Sequence, residues 1–522
     1  MEEQRSSFWA KTARMPAFPR LEENLVCDVC VVGGGIAGLT TAYRLAREGA
    51  SVALLEDGAL GSGESGRTSA HLSAVLDERY AKLARRHGRR DARLAAASHS
   101  SAIAFIEQAA RAEGIDCGFE RVDGFLFAAQ RKDAPRLRRE LRAASAAGLE
   151  LEWAPRAPFA LFDTGPCLRF SGQAQFHPLR YLAGLAAAAS RRGARIFADT
   201  HVAGLRGGRD GAAITRRGYR VRARHYVVAT NVPVNDRFVM HTKQAAYRTY
   251  LLAAELPRGA VPHGLYWDTA DPYHYLRVAG GAPESAGAEL LLVGGEDHKT
   301  GQGGRFEERY AALEAWARVR FPELGRVRER WSGQVVQSSD GLGYAGRNPW
   351  DQDNVYIVTG DTGNGLTHGT LAAEVITDLI RGRENPWARL YDPSRKALRW
   401  PWRYIRENAN VVPRYLQWLV SRRLAPEPIP PGTGRVLQDG LRKIAAYRDP
   451  EGRLHAFSAA CPHLGCAVTW NGSETTWDCP CHGSRFSATG EVLNGPARSG
   501  LSRLEDSQAR RLDAAGAAAA PR

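Results

Sequence analysis

Two short boxes near the C-terminal end constrain this chain more than any other feature: Cys461-Pro462-His463-Leu464-Gly465-Cys466 and Cys479-Pro480-Cys481-His482-Gly483-Ser484. Cys461 and His463 are separated by one residue, fifteen residues follow, and Cys479 and His482 are separated by two. Two thiolates and two imidazoles at that spacing can hold a two-iron, two-sulfur cluster, with the cysteines on one iron and the histidines on the other. Zinc accepts the same ligand types. A zinc site would leave Cys466, Cys481 and the Gly-Ser after His482 without a role.

The boxes resemble a Rieske centre, with Cys461, His463, Cys479 and His482 as the implied ligands of one [2Fe-2S] cluster. In Rieske proteins of the cytochrome bc and b6f type, cysteines at the positions of Cys466 and Cys481 form a disulfide that pins the cluster loops together. Ring-hydroxylating dioxygenases usually lack that pair. The resemblance thus implies a Cys466–Cys481 disulfide and single-electron transfer. It also implies that Ser484 donates to a bridging sulfide and stabilises the reduced state. High-potential members carry a tyrosine where this chain has Phe486. The expected potential is below that of respiratory-chain Rieske proteins and above the lowest members of the range.

At the other end of the chain, the apolar run from Val26 to Val32 leads into Gly33-Gly34-Gly35-Ile36-Ala37-Gly38. A helical pattern follows, then a second strand from Ser51 to Leu55 that ends at Glu56. Gly33, Gly35 and Gly38 fit the G-x-G-x-x-G turn, which places a pyrophosphate at a helix N-terminus next to Ile36 and Ala37. Glu56 is spaced to hydrogen-bond a ribose. By these residues the cofactor is NAD or FAD.

Three later segments resemble the D-amino-acid oxidase (DAO) superfamily, which includes glycine oxidase, sarcosine oxidase and glycerol-3-phosphate dehydrogenase, and the resemblance implies FAD. The first, residues 61–70, would contact the flavin through Ser65, Arg67, Thr68 and Ser69. The second is the strand from Tyr226 to Asn231. The third is the strand from Val355 to Thr359 with the turn Gly360, Asp361, Thr362, Gly363, Asn364, Gly365, Leu366, Thr367. A helix N-terminus there would face the flavin edge where negative charge collects on reduction. His71 and His368, which directly follow the first and third of these segments, are candidates to tune the flavin, and His71 also a candidate covalent attachment point. A second G-x-G-x-x-G in a strand–helix setting was not found, so electrons are expected from a small organic substrate rather than from NADH or NADPH.

Between the FAD segments the pattern is strand-rich. Runs from Gln244 to Leu252, Gly264 to Asp268, Tyr273 to Val278 and Glu289 to Gly294 read as strands, the second and third forming a hairpin. Arg248 and Arg277 are candidates to clamp a substrate carboxylate, with Tyr266, His274 and Tyr275 lining the pocket. Period-two alternation puts Tyr273, Tyr275 and Arg277 on one face and His274 on the other. No catalytic base is nominated, because hydride transfer to a flavin depends mainly on positioning.

At 522 residues the chain has room for two or three domains. Its net charge of +15 comes mostly from Arg. No basic block interleaves with aromatics, so nucleic-acid binding is not expected; a positive surface suits acidic electron-transfer partners. The N-terminus has neither an apolar signal core nor a twin-arginine pair, which favours a cytoplasmic location. No run has the length of a membrane span, although Trp400, Trp402 and nearby basic residues leave peripheral membrane contact open. Cys27, Cys30, Cys117 and Cys167 read as core.

The expected fold is an α/β FAD-binding Rossmann-like domain of glutathione-reductase type, an α+β substrate domain and an all-β C-terminal Rieske domain. The expected boundaries are an N-terminal arm 1–24, a DAO-like oxidoreductase 25–385, a linker 386–432, a Rieske domain 433–505 and a disordered tail 506–522. Within the oxidoreductase, about 25–100, 165–235 and 325–385 form the FAD part, and about 101–164 and 236–324 the substrate part. The chain resembles fused bacterial proteins of this architecture. The resemblance implies oxidation of an amine, amino acid or hydroxy acid at FAD, with electrons passing singly through the cluster to an acceptor protein or quinone. Two alternatives are a flavin/Rieske reductase or oxygenase-type component fed through the cluster, and a redox sensor without turnover. The sequence fixes neither the substrate nor the oligomeric state.

Overall fold

The structure, a computed structural model, describes residues 7–235, 239–280, 288–302, 304, 306–395, 429–439 and 442–505. The helical stripe expected in the linker at Val412, Leu416, Leu419 and Val420, the tryptophans at 400 and 402, and the tail 506–522 lie outside these residues. Two compact units are present. One comprises 1–231, 248–297 and 309–399, the other 232–247, 298–308 and 400–522.

The first unit is built on an eight-stranded sheet with Leu25–Val32 at its centre, parallel to Arg220–Val228 on one side and Val52–Leu55 on the other. A strand covered on both faces reads as a continuous apolar run rather than an alternating one, and Val29 to Val32 are all buried. Arg195–Phe197 and Val355–Thr359 extend the parallel core. Helix Ile36–Arg47 follows the glycine turn, with Arg44 and Arg47 in its last turn, where the helix dipole favours cations. Helix Gly365–Ile380 packs across it. A Cβ on Gly369 would lie 2.8 Å from Ile36 Cγ2, so a glycine is what allows the two helices to approach.

A second sheet, of nine strands, runs in the order Val327–Ser338, Gln244–Pro257, Ala288–Lys299, Tyr275–Ala279, Leu265–Asp268, Glu120–Phe127, Cys167–Gln175 and His71–Leu72, with Leu151–Ala154 on Cys167–Gln175. The expected hairpin is present, pairing Tyr266 with Leu276 and Trp267 with Tyr275. Among the described residues of the expected N-terminal arm, one short helix packs onto the first unit. Helix Phe8–Thr12 buries Phe8 and Trp9, and Trp9 Nε1 donates to Thr68 O at 2.7 Å.

The second unit holds a three-stranded antiparallel sheet, Thr433–Asp439, Arg442–Arg448 and Leu454–Ser458, and a four-stranded one, Thr469–Asn471, Thr476–Asp478, Arg485–Ser487 and Val492–Asn494. Residues 232–247 and 298–308 belong to this unit by their contacts, although by sequence they sit among the strands of the substrate part. Among the described residues no helix is long and apolar enough to cross a membrane.

Candidate functional site

The glycine turn at 33–38 is shaped by backbone proximity. A Cβ on Gly38 would lie 1.8 Å from Gly33 O, and one on Gly33, which has φ +108°, would lie 2.4 Å from Ala229 O. Beside Gly35 the nearest atom is Ser65 Oγ at 3.0 Å, which also accepts from Ile36 N–H at 3.0 Å. Ser65 thus meets the first free amide of the helix, beside the site a pyrophosphate needs. Glu56 accepts from Gly34 N–H, and burial raises its carboxyl pKa. Arg67, Thr68 and Ser69 continue this wall: Trp331 Nε1 donates to Arg67 O at 2.9 Å, and Ser69 Oγ lies 2.8 Å from His71 Nδ1.

The turn 360–364 leads directly into helix Gly365–Ile380. Gly360 and Gly363 have φ of +69° and +88°. Asn364 Oδ1 accepts from Asp77 N–H at 3.2 Å, and Thr367 Oγ1 lies 2.7 Å from His99 Nδ1. Leu366 is buried. His368 points elsewhere, its Nε2 lying 3.3 Å from Tyr344 O within the helix packing.

The candidate substrate residues separate into three groups. Tyr275 meets His71, with ring centroids 5.8 Å apart, and its hydroxyl lies 2.8 Å from Thr249 Oγ1. Tyr266 instead joins an aromatic layer, 5.2 Å from Phe125 and 4.4 Å from Phe159, with its hydroxyl donating to Pro262 O. His274 stacks on Trp316 at 4.2 Å and bonds Asp268 at 2.8 Å. The alternation places His274 opposite Tyr275 as expected, so it packs on Trp316 rather than beside His71.

Both arginines are engaged within the fold. Arg277 donates to Ala70 O at 3.1 Å and Phe176 O at 3.4 Å, with its guanidinium 5.1 Å over Trp9. Burial lowers its pKa to about 9. Arg248 is fully buried and donates to Ser332 Oγ.

What surrounds Tyr275 is acidic. Tyr273, 5.6 Å from it ring to ring, donates its hydroxyl to Asp77 Oδ2 at 2.9 Å. Asp77 abuts the 360–364 turn so closely that a Cβ on Gly363 would lie 1.9 Å from its carboxylate. Asp297 hydrogen-bonds Thr249, and burial pushes its carboxyl up to about 7. Asp361 is likewise raised to about 7 by burial, and His71 is lowered to about 3 by burial and then by the Arg277 charge. Sequence reasoning missed Asp77, Asp297 and Tyr273's pairing. Acidic pairs closing apolar runs, Asp77-Glu78 and Glu296-Asp297, were the available signal.

The second centre lies in two loops, one running from Leu454–Ser458 to Thr469–Asn471 and the other joining Thr476–Asp478 to Arg485–Ser487. Cys461 N–H donates to Cys466 O and Cys479 N–H to Ser484 O, both at 2.8 Å, closing each loop on itself. The Cys466–Cys481 disulfide, with Cα atoms 6.4 Å apart, ties the loops together. Cys461 and Cys479 are each 2% exposed. Contact between these two thiols lowers the pKa of Cys461 and raises that of Cys479. The rings of His463 and His482 are 5.0 Å apart. Two buried thiols and two adjacent imidazoles are a donor set that fits a two-iron cluster. Cys479 Sγ also lies within 4.8 Å of the sulfurs of Cys466 and Cys481, but the disulfide removes those two as thiolate ligands. Ser484 is fully buried, hydrogen-bonds Cys461 and accepts from Ala497 N–H at 3.0 Å; Phe486 is fully buried and brings no hydroxyl.

Below the loops, Arg485 Nε donates to Asp478 Oδ1 at 3.0 Å and its Nη2 pairs with Glu474. Asn471 Nδ2 donates to the other oxygen of Asp478 at 3.0 Å. The sequence reading did not identify this network.

The family model for FAD dependent oxidoreductases (DAO) matches residues 28–379, and that for the Rieske [2Fe-2S] domain matches 424–505. The chain is 32% identical over 503 residues to the Bacillus subtilis (strain 168) protein named "Putative Rieske 2Fe-2S iron-sulfur protein YhfW", covering 96% of this chain and 97% of that one. It is 27% identical over 400 residues to gamma-glutamylputrescine oxidoreductase of Escherichia coli (strain K12), covering 73% and 90%. Its fold is similar to the crystal structure of glycine oxidase from Geobacillus kaustophilus, with a TM-score of 0.58 and 21% identity over 72% of this chain and all of the other.

Proposed function

Because the chain belongs to the FAD dependent oxidoreductase family and carries a Rieske [2Fe-2S] domain, we propose that it is a dehydrogenase for a small cationic amine. Its electrons would pass singly through the Rieske centre to an external acceptor. FAD supplies hydride acceptance and the cluster one-electron transfer. The residues proposed to hold FAD are Gly33, Gly35, Ile36, Ala37, Gly38 and Glu56 at the nucleotide end, with Ser65, Arg67, Thr68 and Ser69 and the turn residues Gly360, Asp361, Gly363, Asn364, Gly365, Leu366 and Thr367. Those proposed for the cluster are Cys461, His463, Cys479 and His482. Tyr273 and Tyr275 would orient the substrate, with Asp77 and Asp297 facing its charge.

One observation carries the choice of an amine. Arg248 and Arg277, the two candidates for a carboxylate clamp, are engaged inside the protein, whereas Asp77 and Asp297 gather around Tyr273 and Tyr275. Buried carboxylates favour a cation and reject an anion. The similarity to gamma-glutamylputrescine oxidoreductase points to the same class.

The test is an anaerobic screen of amines, amino acids and hydroxy acids, following flavin absorbance together with the EPR signal of the reduced cluster. Amines are expected to bleach the flavin. Bleaching only by hydroxy acids would sink the reading. Burial pushes the Asp297 carboxyl up to about 7, and its ionised form is the one that attracts a cation. Amine affinity is therefore expected to rise with pH through about 7 and to lose that rise in Asp297→Asn.

A further inference from the structure

Residues 232–247 and 298–308, which interrupt the flavoprotein sequence, pack as part of the cluster unit. They join where Thr300 N–H donates to Ala246 O at 2.9 Å. Each then meets a different part of the cluster centre.

His241, from the short helix Val239–Thr242, is 4% exposed. Its ring lies edge-on to that of His463, with centroids 4.7 Å apart and planes at 78°, and 6.0 Å from that of His482. Since the His463 and His482 rings are themselves at 88° to one another, the three imidazoles form one interlocked group. Edge-to-face contact at this range is directional.

The other segment lies on the second box. A Cβ on Gly301, which has φ +71°, would be 2.7 Å from Pro480 N and 2.8 Å from Pro480 Cα, so its backbone sits directly against the turn after Cys479. Gln302 Nε2 donates to Pro480 O at 3.0 Å, and Thr469 Oγ1 donates to Gly301 O at 3.1 Å. Val234 O accepts from Arg498 Nε, one residue beyond the Ala497 amide that holds Ser484.

A ligand imidazole held through one nitrogen keeps rotational freedom about that bond, and outer partners that fix its plane tune the metal. Four ligands and a disulfide do not call for a third imidazole, yet one is packed against both ligand rings. We propose that His241 is a positioning residue for the Rieske cluster, fixing the planes of His463 and His482, while Gly301 and Gln302 hold the Cys479–Pro480 turn. These two segments form a seat, supplied by the chain itself, that sets the geometry and potential of the cluster. The inference rests on the ring and backbone contacts and is independent of the substrate.

The test uses the full-length holoprotein and its His241→Ala, His241→Phe and Gln302→Ala variants. Each is reduced with dithionite, examined by EPR and titrated potentiometrically. His241→Ala is expected to shift the g-values and midpoint potential, and His241→Phe, which keeps an aromatic ring, to restore most of both. A fully loaded His241→Ala protein with g-values and potential unchanged overturns the proposal, as does a His241→Phe protein no closer to the parent than His241→Ala. Should His241→Ala fail to retain its cluster, Gln302→Ala decides. Losing one hydrogen bond is expected to speed amide exchange across residues 481–484 by about two- to tenfold. Exchange at the parental rate there overturns the seat.

Discussion

Ser484 and Phe486 sit two residues apart in the same short strand region, and their difference in hydrogen-bonding capacity acts on the cluster directly. Ser484 is held by Ala497 N–H at its oxygen, which leaves its own hydrogen for Cys461. A hydrogen bond to a charged acceptor is worth about 1.5–3 kcal/mol, or about 60–130 mV for a one-electron couple. Only the part of that energy that differs between the reduced and oxidised cluster moves the potential, so Ser484→Ala is expected to lower the midpoint by up to that amount, and Phe486→Tyr to raise it if the added hydroxyl reaches a cluster sulfur. Redox titration of the two variants with the parent checks both signs. A potential in the parent as high as that of a quinol-oxidising Rieske protein would remove the basis for the second. Single residues were also where sequence reading reached its limit. Arg277 looked like a substrate clamp because guanidinium chemistry is visible in one letter. Its actual partners, Ala70 O, Phe176 O and the Trp9 ring, are far from it in sequence.

The hairpin of Thr476–Asp478 and Arg485–Ser487 positions the second cluster box, because Cys479 leaves one strand and Ser484 leads into the other. Asp478 and Arg485 are 0% and 3% exposed, and their ion pair closes the base of that loop. Removing one partner of a buried pair leaves an uncompensated charge and costs about 3–5 kcal/mol. Arg485→Ala is expected to destabilise the cluster-bearing unit by that order and to release iron, read as a lowered thermal midpoint and lost iron per chain. A variant that keeps its iron and its midpoint would show that the pair contributes little. Elements of this kind differ in legibility. The strand–turn–helix at Leu25–Arg47 was readable because its glycines and apolar run act on neighbours a few residues away. Strand Val355–Thr359 ran as expected and its helix begins at Gly365, with Gly369 allowing that helix to pack on Ile36. The seat at His241 and Gly301 had no local signal, since it depends on contacts more than 150 positions apart.

For the molecule as a whole, the question is whether two redox groups in one chain work as one path. A flavin in this family accepts electrons in pairs, whereas a Rieske cluster carries one at a time, so a chain with both is suited to converting a two-electron oxidation into single-electron deliveries. Cys461→Ser removes a proposed cluster ligand in one unit, while the proposed FAD residues lie in the other. The variant is expected to keep its FAD and to be bleached anaerobically by an amine substrate, yet to lose transfer to a one-electron acceptor by at least about tenfold, the lower range for loss of a metal-supporting group. Stopped-flow absorbance separates the two half-reactions. The parent protein provides the stricter check. If substrate bleaches its flavin while the cluster stays oxidised and EPR-silent, the cluster does not lie on the path from substrate. The basic composition adds a dependence on conditions. At a net charge of +15, an acidic protein acceptor would be drawn in by long-range attraction, and its reduction should slow as added salt shortens the screening length. A neutral quinone would show no such slope, so the salt dependence of the second half-reaction distinguishes the two acceptor classes.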